Sequence, residues 1–534
     1  MRWTGRFAGY DTASFRKDLL SGLIVGIIAI PLGMAFAIAS GVKPEYGIYT
    51  TIIAGILISL CGGSRYQIGG PTGAFVPILF AITMQYGYEN LLLAGFLSGI
   101  ILVLMGLFKS GTLIKYMPKP VIIGFTSGIA VIIFTGQLPN LLGLRNIEKH
   151  ESFLLNLTEI FKHVTTLNAF SLATAAICFA VVLLSQRYLP KLPGSLTGLL
   201  ISSAAAALFF DGNVDTIGSV FGDIPGTLPH LHFPELTLQR IEQLIFPAIV
   251  IAMLGGIESL LSAVVADNMS ANRHNSNREL IGQGIANLVT PLFGGIPATG
   301  AIARTATNVK YGAVSPISGI MHSIVVFLVF IFFSRYASHI PLASMAPILI
   351  IVAWNMSERK PFIHILKSNT SDSAVLLLTF FLTVLTNLST AVVAGLLLSV
   401  ILFIKRMSTA FMVTSCHDYP QISICIIKGP LFFGAADRFE KLVLNTINEK
   451  SKVLLLRMEK VPFMDTSGES KLNNLVKHFR KYGGTVMISE IQSQPLEVLK
   501  RGEIYGVIGQ EHFFQHSGQA IDYALNHLEN RSSL

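Results

Sequence analysis

From Leu19 to about Met407 the chain alternates long apolar runs with short polar breaks. Spanning a bilayer takes about 20 apolar residues. Twelve runs qualify, at roughly 19–41, 46–61, 89–108, 119–138, 168–186, 195–210, 243–266, 279–294, 314–335, 340–355, 372–387 and 389–405. Two further segments, near 70–85 and 297–308, are apolar but interrupted. One carries GGPTGAFVP (Gly69–Pro77), the other GIPATGAIART (Gly295–Thr305). A break in a lipid-exposed helix strands backbone polar groups at several kcal/mol each. Broken segments at corresponding places in two halves therefore point to the central binding site of a secondary transporter. Counting both, the pattern predicts fourteen spans, with the two ends of the membrane part on one side.

The halves align without gaps. PTGA at Pro71–Ala74 lies over ATGA at Ala298–Ala301 at an offset of 227. That offset also sets Pro31 over Glu258, each in the first helix of its half. Seven spans per half is an odd number, so the halves would have opposite topology. Two chance glycine-rich turns would give the same four-residue match, but the matching positions and the charge pattern favour a repeat. Basic residues gather on the cytoplasmic side of membrane proteins. With Arg2, Arg6, Arg16 and Lys17 inside, the inner loops hold Arg65, Lys109, Lys115, Lys119, Arg187, Lys191, Arg273, Arg278, Lys310, Arg359, Lys360 and Lys367, and Lys405 and Arg406 follow the last span. The outer loops hold fewer, with Arg145–Lys162 the exception. The expectation is a multi-pass protein of the cell membrane with both termini cytoplasmic.

Composition agrees. Hydrophobic residues make up 51% of the chain and charged residues 13%, against roughly 25% charged in a soluble domain. The net charge of +9 is small for the length and fits cytoplasmic Lys/Arg rather than nucleic-acid binding. Cys61, Cys178, Cys416 and Cys425 show no metal spacing and suggest no disulfide framework. The run Leu19–Ser40 is too long for a signal-peptide core.

Two charged residues stand out. Glu258 is the one charge in an apolar run. A charge at mid-bilayer costs about 3 kcal/mol on insertion scales, and low dielectric disfavours the ionised form. A carboxyl there can couple transport to a proton gradient, or it can simply hydrogen-bond broken-helix backbone. Arg304 follows the second Thr-Gly-Ala. If the short helix starts near Thr299, Arg304 lies one to two turns in, near the centre; the alternative is an arginine in a cytoplasmic loop. Helix N-termini offer free N–H groups and partial positive charge, and a guanidinium adds a planar donor fork suited to oxyanions. An anion is the implied substrate. Gly70, Thr72, Gly73, Ala74, Thr299, Gly300, Ala301 and Ala303 are the candidate ligands beside Arg304, although capping the same helix ends would use the same groups.

The run PLGMAFAIASGVKPEYGIYT (Pro31–Thr50) resembles the signature of the SulP anion permease family, and the resemblance covers nearly the whole chain. It implies a seven-plus-seven inverted repeat with a core domain moving against a gate domain, as in uracil permease-like proteins. It implies too that the third and tenth helices meet end to end at the substrate. Phe36 matches the aromatic that lines the family's pocket, Glu258 the acidic position of the eighth helix in bacterial members, and Arg304 the tenth-helix arginine of several mammalian members. Leu32 stands where many sulfate transporters have Gln. Ile302 stands where a sodium-coupled bicarbonate branch has a hydroxyl nearby, and that branch has Asp at the Glu258 position. Proton coupling is therefore expected over sodium coupling, with no other cofactor. The resemblance also suggests a homodimer.

After Met407 the composition becomes that of a soluble domain, giving expected boundaries of 1–408 for the membrane part and 409–534 for the tail. Strand-like runs (Gln421–Lys428, Lys452–Met458, Thr485–Ser489) alternate with helical ones (Ala435–Asn448, Ser467–Tyr482, Pro495–Arg501, Gly518–Glu529), which reads as an α/β sandwich. Pro462–Gly468 resembles the loop of STAS domains in which a serine is phosphorylated. Ser467 or Thr466 would match, and a cytoplasmic protein partner could read it. Asp, Thr and Ser are equally what a helix N-cap requires.

The whole reads as a secondary active transporter of a small anion (a C4-dicarboxylate, sulfate or bicarbonate), working by elevator-like alternating access. An exchanger or channel on the same scaffold is the alternative. A nucleobase permease would place a carboxylate where Arg304 stands. No metal cluster or nucleophile–base pair suggests an enzyme.

Overall fold

The computed structural model describes residues 10–112, 117–188, 193–227, 231, 233–368, 370–386, 388–419, 421–447 and 451–532. Arg2, Arg6, Lys115 and Lys191, which help set the predicted sidedness, lie outside these residues. The chain forms two compact units, Met1–Leu396 and Leu397–Leu534.

Each of the twelve apolar runs is a helix: Thr12–Ala39, Pro44–Cys61, Tyr88–Leu107, Lys119–Leu142, Ala169–Tyr188, Gly194–Phe209, Leu238–Ser270, Ser276–Val289, Ile317–Ala337, Leu342–Met356, Ser371–Leu385 and Leu388–Ala410. Among the described residues, eight helices are long and apolar enough to cross a membrane by themselves. The remainder of the fourteen expected crossings are shorter elements. Three short helices, Phe153–Lys162, Ile217–Phe221 and Arg359–Lys367, occupy stretches that the hydropathy pattern leaves as loops. They are too short for periodicity to separate them from turns.

The first helix starts on Asp11, whose side chain accepts from Ser14 N at 2.8 Å, and the second has Pro44 in its first turn. Between apolar helices in lipid, close packing of small residues replaces the hydrophobic drive. A Cβ on Gly47 would lie 2.0 Å from Gly33 O, so the first two helices touch backbone to backbone. A Cβ on Gly284 would lie 2.7 Å from Gly99 O, which locks Ser276–Val289 against Tyr88–Leu107 in the same way.

The two interrupted segments differ from expectation in one respect. Gly69–Gly70 and Thr299–Gly300 are extended and pair antiparallel, with Gly69 opposite Gly300 and Gly70 opposite Thr299. Continued by one residue, this register sets Pro71 against Ala298, the residue the offset of 227 assigns to it. Each chain then turns helical, through a 3-10 turn (Gly73–Phe75) into Val76–Tyr86, and directly into Ile302–Lys310. The second short helix thus begins at Ile302 rather than near Thr299, because Thr299 and Gly300 belong to the strand pair. Arg304 falls in its first turn, not one to two turns in.

The tail is a five-stranded sheet in the order Met412–Tyr419, Ile422–Lys428, Val453–Lys460, Thr485–Ser489, Phe513–Phe514, with the first pair antiparallel and the rest parallel. Helices Phe433–Thr446 and Thr466–Lys481 cover one face, and Ser517–Ser532 the other. The sandwich is as expected, but the outer strands were not. Met412–Tyr419 lies at one edge of the sheet, and Phe513–Phe514, at the other, is two residues long.

Candidate functional site

Glu258 is buried in Leu238–Ser270, and its Oε2 accepts from Thr72 Oγ1 at 2.9 Å. One turn earlier on the same helix, Gly255 O accepts from Thr299 Oγ1 at 2.8 Å. Thr72 and Thr299 are mates under the offset of 227, so equivalent threonines from both breaks dock on neighbouring turns of one helix. A side chain at position 255 would crowd this arrangement, since a Cβ there would meet the Phe75 ring at 3.0 Å.

Arg304 is also buried, in the interior at the strand pair rather than in a cytoplasmic loop. Its Nη2 donates to Pro71 O across the two breaks. Its Nη1 has no hydrogen-bond partner among the described residues and lies against Gly70. A Cβ there would stand 2.7 Å from Nη1, and the Gly70 φ of +151° favours glycine independently. Arg304 and Glu258 take part in no ion pair among the described residues. Phe36 closes the other side: a Cβ on Gly73 would meet its ring at 3.4 Å, with Ile133 at 3.4 Å and Met356 at 3.5 Å.

The candidates divide by whether their donors are free. Both threonine O–H groups are already donated to the protein. Ala301 N is bound to Ile68 O at 2.8 Å. Gly300 is fixed by packing, since a Cβ there would overlap the Gln67 amide at 1.5 Å. Thr299, Gly300 and Ala301 therefore build the site rather than line it. Ala303 is exposed. The N–H groups of Gly73, Ala74 and Ala303 stand at helix starts, where intrahelical partners are lacking, and the Arg304 guanidinium lies against Gly70, in the strand pair that leads into both starts.

Sequence reasoning missed the polar framework that holds the breaks open. Asn287 clamps Ala298 both ways, donating to its carbonyl at 2.8 Å and accepting from its N–H at 2.8 Å. Glu279 accepts from Gly63 N at 2.7 Å, Ser64 N at 3.0 Å and Gln283 Nε2 at 2.9 Å. Asn308 donates to Tyr66 O at 3.0 Å and accepts from Ser21 Oγ at 2.7 Å. Glu279, Gln283 and Asn287 recur every fourth residue, a polar stripe on one helix face that was available as a signal. Asn287→Ala would leave two buried backbone groups of Ala298 unpaired, at about 1–3 kcal/mol each. Thermal unfolding of the purified variant should show a loss of roughly 2–6 kcal/mol on that basis, and a midpoint equal to wild type would remove Asn287 from the framework.

A cavity of about 560 Å³ adjoins this arrangement: it is lined by Ile133, which faces Gly73 beside Phe36, and by Val76 and Pro77 at the start of the first short helix, together with Gln85, Gln137, Lys149, His150 and Gln243. Glu258, Thr72, Arg304 and Phe36 are not among its lining residues.

A family model described as the sulfate permease family matches residues 15–379, and a STAS-domain model matches residues 382–520. The chain belongs to the sulfate permease family. It is a membrane transporter of that anion-transporting family and not an enzyme. It is 56% identical over 524 residues to "Putative sulfate transporter YvdB" of Bacillus subtilis, covering 97% of this chain and 99% of that one. It is 30% identical over 411 residues to the bicarbonate transporter BicA of a Picosynechococcus species, covering 74% and 71%. The solved structure of SLC26A9 has the same fold, with a TM-score of 0.88 at 19% identity over 98% of this chain and 92% of that one.

In the STAS domain the helix cap is Asp465, not Thr466 or Ser467. Asp465 accepts from Gly468 N at 2.8 Å and Phe433 N at 2.9 Å. Thr466 is exposed and Ser467 half-buried.

Proposed function

We propose that this permease is a proton-coupled symporter of a small anion, with Glu258 as the proton site and Arg304 as the anion's charged contact. The bond from Thr72 to Glu258 carries this reading. An ionised carboxylate only accepts, so it holds the Thr72 proton and sets a negative charge near the anion's place. A protonated Glu258 becomes a donor. The bond can then reverse, with Glu258 O–H donating to Thr72 Oγ and the Thr72 proton turning toward the anion. Protonation thus removes a like charge and adds a donor. The anion in turn favours the protonated acid by the same factor, because linkage is reciprocal. Release on the other side returns both. The two breaks and the Glu258 helix, joined by Thr72, Thr299 and Arg304, would travel together as the core in an elevator-like cycle against the gate domain.

C4-dicarboxylates, sulfate and bicarbonate are the substrates to test, the last two because relatives bear those names. We place the protein in the cell membrane as a homodimer with both termini cytoplasmic, the membrane part ending near residue 408, and the exposed Thr466 or the half-buried Ser467 as the position for modification and a protein partner. The test is proteoliposome uptake of labelled succinate, fumarate, sulfate, bicarbonate and chloride, with and without an inward proton gradient and with sodium replaced by choline. Accumulation that follows the proton gradient and ignores sodium supports symport. Uptake indifferent to the gradient but dependent on a trans anion would favour an exchanger.

Thr72→Val tests the relay. It removes the hydroxyl at nearly constant volume, so gradient-driven accumulation should fall about tenfold, the scale of one lost bond to a charged group, while Thr72→Ser retains it. Equal loss in both variants would mean that position 72 serves packing alone.

A further inference from the structure

A buried histidine stands beside this site without a role. His322, in Ile317–Ala337, is fully buried, and its Nε2 has no hydrogen-bond partner among the described residues. The ring packs where the helices come closest: a Cβ on Gly55 would lie 3.3 Å from Nδ1, and one on Gly22 or Gly26 would meet the His322 backbone at 2.9 Å. None of these neighbours is acidic.

The tautomer follows from the bonds of Ser323. Its single O–H faces the carbonyls of Gly319 at 3.2 Å and Thr51 at 3.4 Å. Ser323 Oγ can then only accept from the imidazole, whose Nδ1 is 3.4 Å away. With the Ser323 proton on one of these carbonyls we assign the ring proton to Nδ1, which leaves the neutral ring a lone pair at Nε2.

The opposite deficit lies on the neighbouring short helix, where Arg304 Nη1 is a buried donor without an acceptor. Ile302–Lys310 is tied to the start of Ile317–Ala337 by Asn308 Nδ2, which donates to Ser318 Oγ at 2.8 Å. One turn from that tie, at four residues along each helix, come Arg304 and His322. Between these helices runs the first break, bound on one side through Ile68 N to Thr305 Oγ1 at 3.0 Å, and lying with Gln67 O against Gly319 on the other. Gly69 and Gly70 contribute no side chain to the gap.

We propose that His322 is a positioning residue for Arg304: a buried water, donating to Nε2 and accepting from Nη1, holds the guanidinium with its free edge toward the anion. A lone pair and an N–H are what such a water needs. Nη2 on Pro71 O and Nη1 on the water fix the guanidinium plane at two points, whereas Nη2 alone leaves it free to swing. The proposal rests on the reading that Arg304 contacts the anion.

The test uses the full-length protein in liposomes, with labelled succinate and sulfate as probes and thermal unfolding measured on the same preparations. His322→Leu should raise KM for the transported probe by about tenfold, the scale of losing one charge-assisted bond. His322→Gln, whose Oε1 can accept in place of Nε2, should stay within about twofold on the same scale. In an Arg304→Lys background, His322→Leu should add nothing further, because the fork that His322 aligns is gone. A His322→Leu KM equal to wild type would overturn the proposal, as would equal losses in both backgrounds or a Gln variant as impaired as the Leu variant. If His322→Leu does not fold, His322→Met takes its place against His322→Gln. Arg304→Ala separates the two levels. If it leaves KM unchanged, the anion-site reading fails; if it raises KM while His322→Leu does not, only the role of His322 fails.

Discussion

Glu258→Gln is expected to abolish proton-driven accumulation in a protein that still folds and still binds its anion. The amide keeps the shape of the acid, and its Oε1 can accept from Thr72 as the carboxylate does at 2.9 Å. It cannot take up or lose a proton, so the bond cannot reverse. Uptake should then follow the anion's own gradient, and an imposed inward proton gradient should add no accumulation. Stability should hold or rise slightly, because a neutral amide is less costly to bury than an unpaired carboxylate. Among the described residues Glu258 has no ionic partner to lose. Uptake into liposomes with an imposed pH gradient, normalised to inserted protein, checks the first point, and thermal unfolding checks the second. Undiminished acceleration by the gradient would remove Glu258 as the coupling site and leave its bond to Thr72 a structural tie.

Much of the architecture was legible because lipid restricts the solutions. Twelve apolar runs are twelve helices, since backbone polar groups in hydrocarbon must pair within the segment. The breaks were visible for the same reason: Pro and Gly beside Thr-Gly-Ala violate the rule twice, at an offset of 227. Their consequence was not visible. A pairing two residues long, Gly69–Gly70 with Thr299–Gly300, has no periodicity to read, yet it shifts the start of the second short helix to Ile302. Glu258 and Arg304 could be singled out as isolated charges, and the structure buries both. Sequence could not show that Thr72 and Thr299 have donated their protons to the Glu258 helix, or that Ala301 N is occupied. Those facts depend on contacts between residues about 40 to 230 positions apart. The framework of Asn287, Asn308 and Glu279 hid for a different reason. Polar residues within predicted helices read as tolerated exceptions until the backbone groups they satisfy are known.

Arg304→Ala should weaken anion binding by roughly ten- to a hundredfold, which corresponds to about 1.5–3 kcal/mol for a charge-assisted contact. The geometry makes the experiment less simple than a lost contact, because the guanidinium has two jobs. Nη2 bonds Pro71 O and ties one break to the other, while Nη1 is free. Alanine removes both, and leaving Pro71 O unpaired carries its own cost of about 1–3 kcal/mol. A fall in stability alone would therefore say nothing about the anion. Arg304→Lys separates the jobs. A lysine keeps the charge and can reach one acceptor, but it cannot serve a carbonyl and an anion with a planar fork. If Arg304 reads the anion, Lys should restore most of the thermal stability while leaving a substantial part of the affinity loss. Calorimetric binding and thermal unfolding on the same preparations distinguish the cases. Should Lys recover stability and affinity together, Arg304 would act as a tie between the breaks, and the helix starts at Gly73 and Ile302 would have to hold the anion by themselves. Two N-termini with partial charges near +0.5 each are a weaker counterweight to a dianion than one guanidinium added to them, so the outcome also bears on substrate charge: without Arg304 as a ligand, a monoanion becomes the better fit.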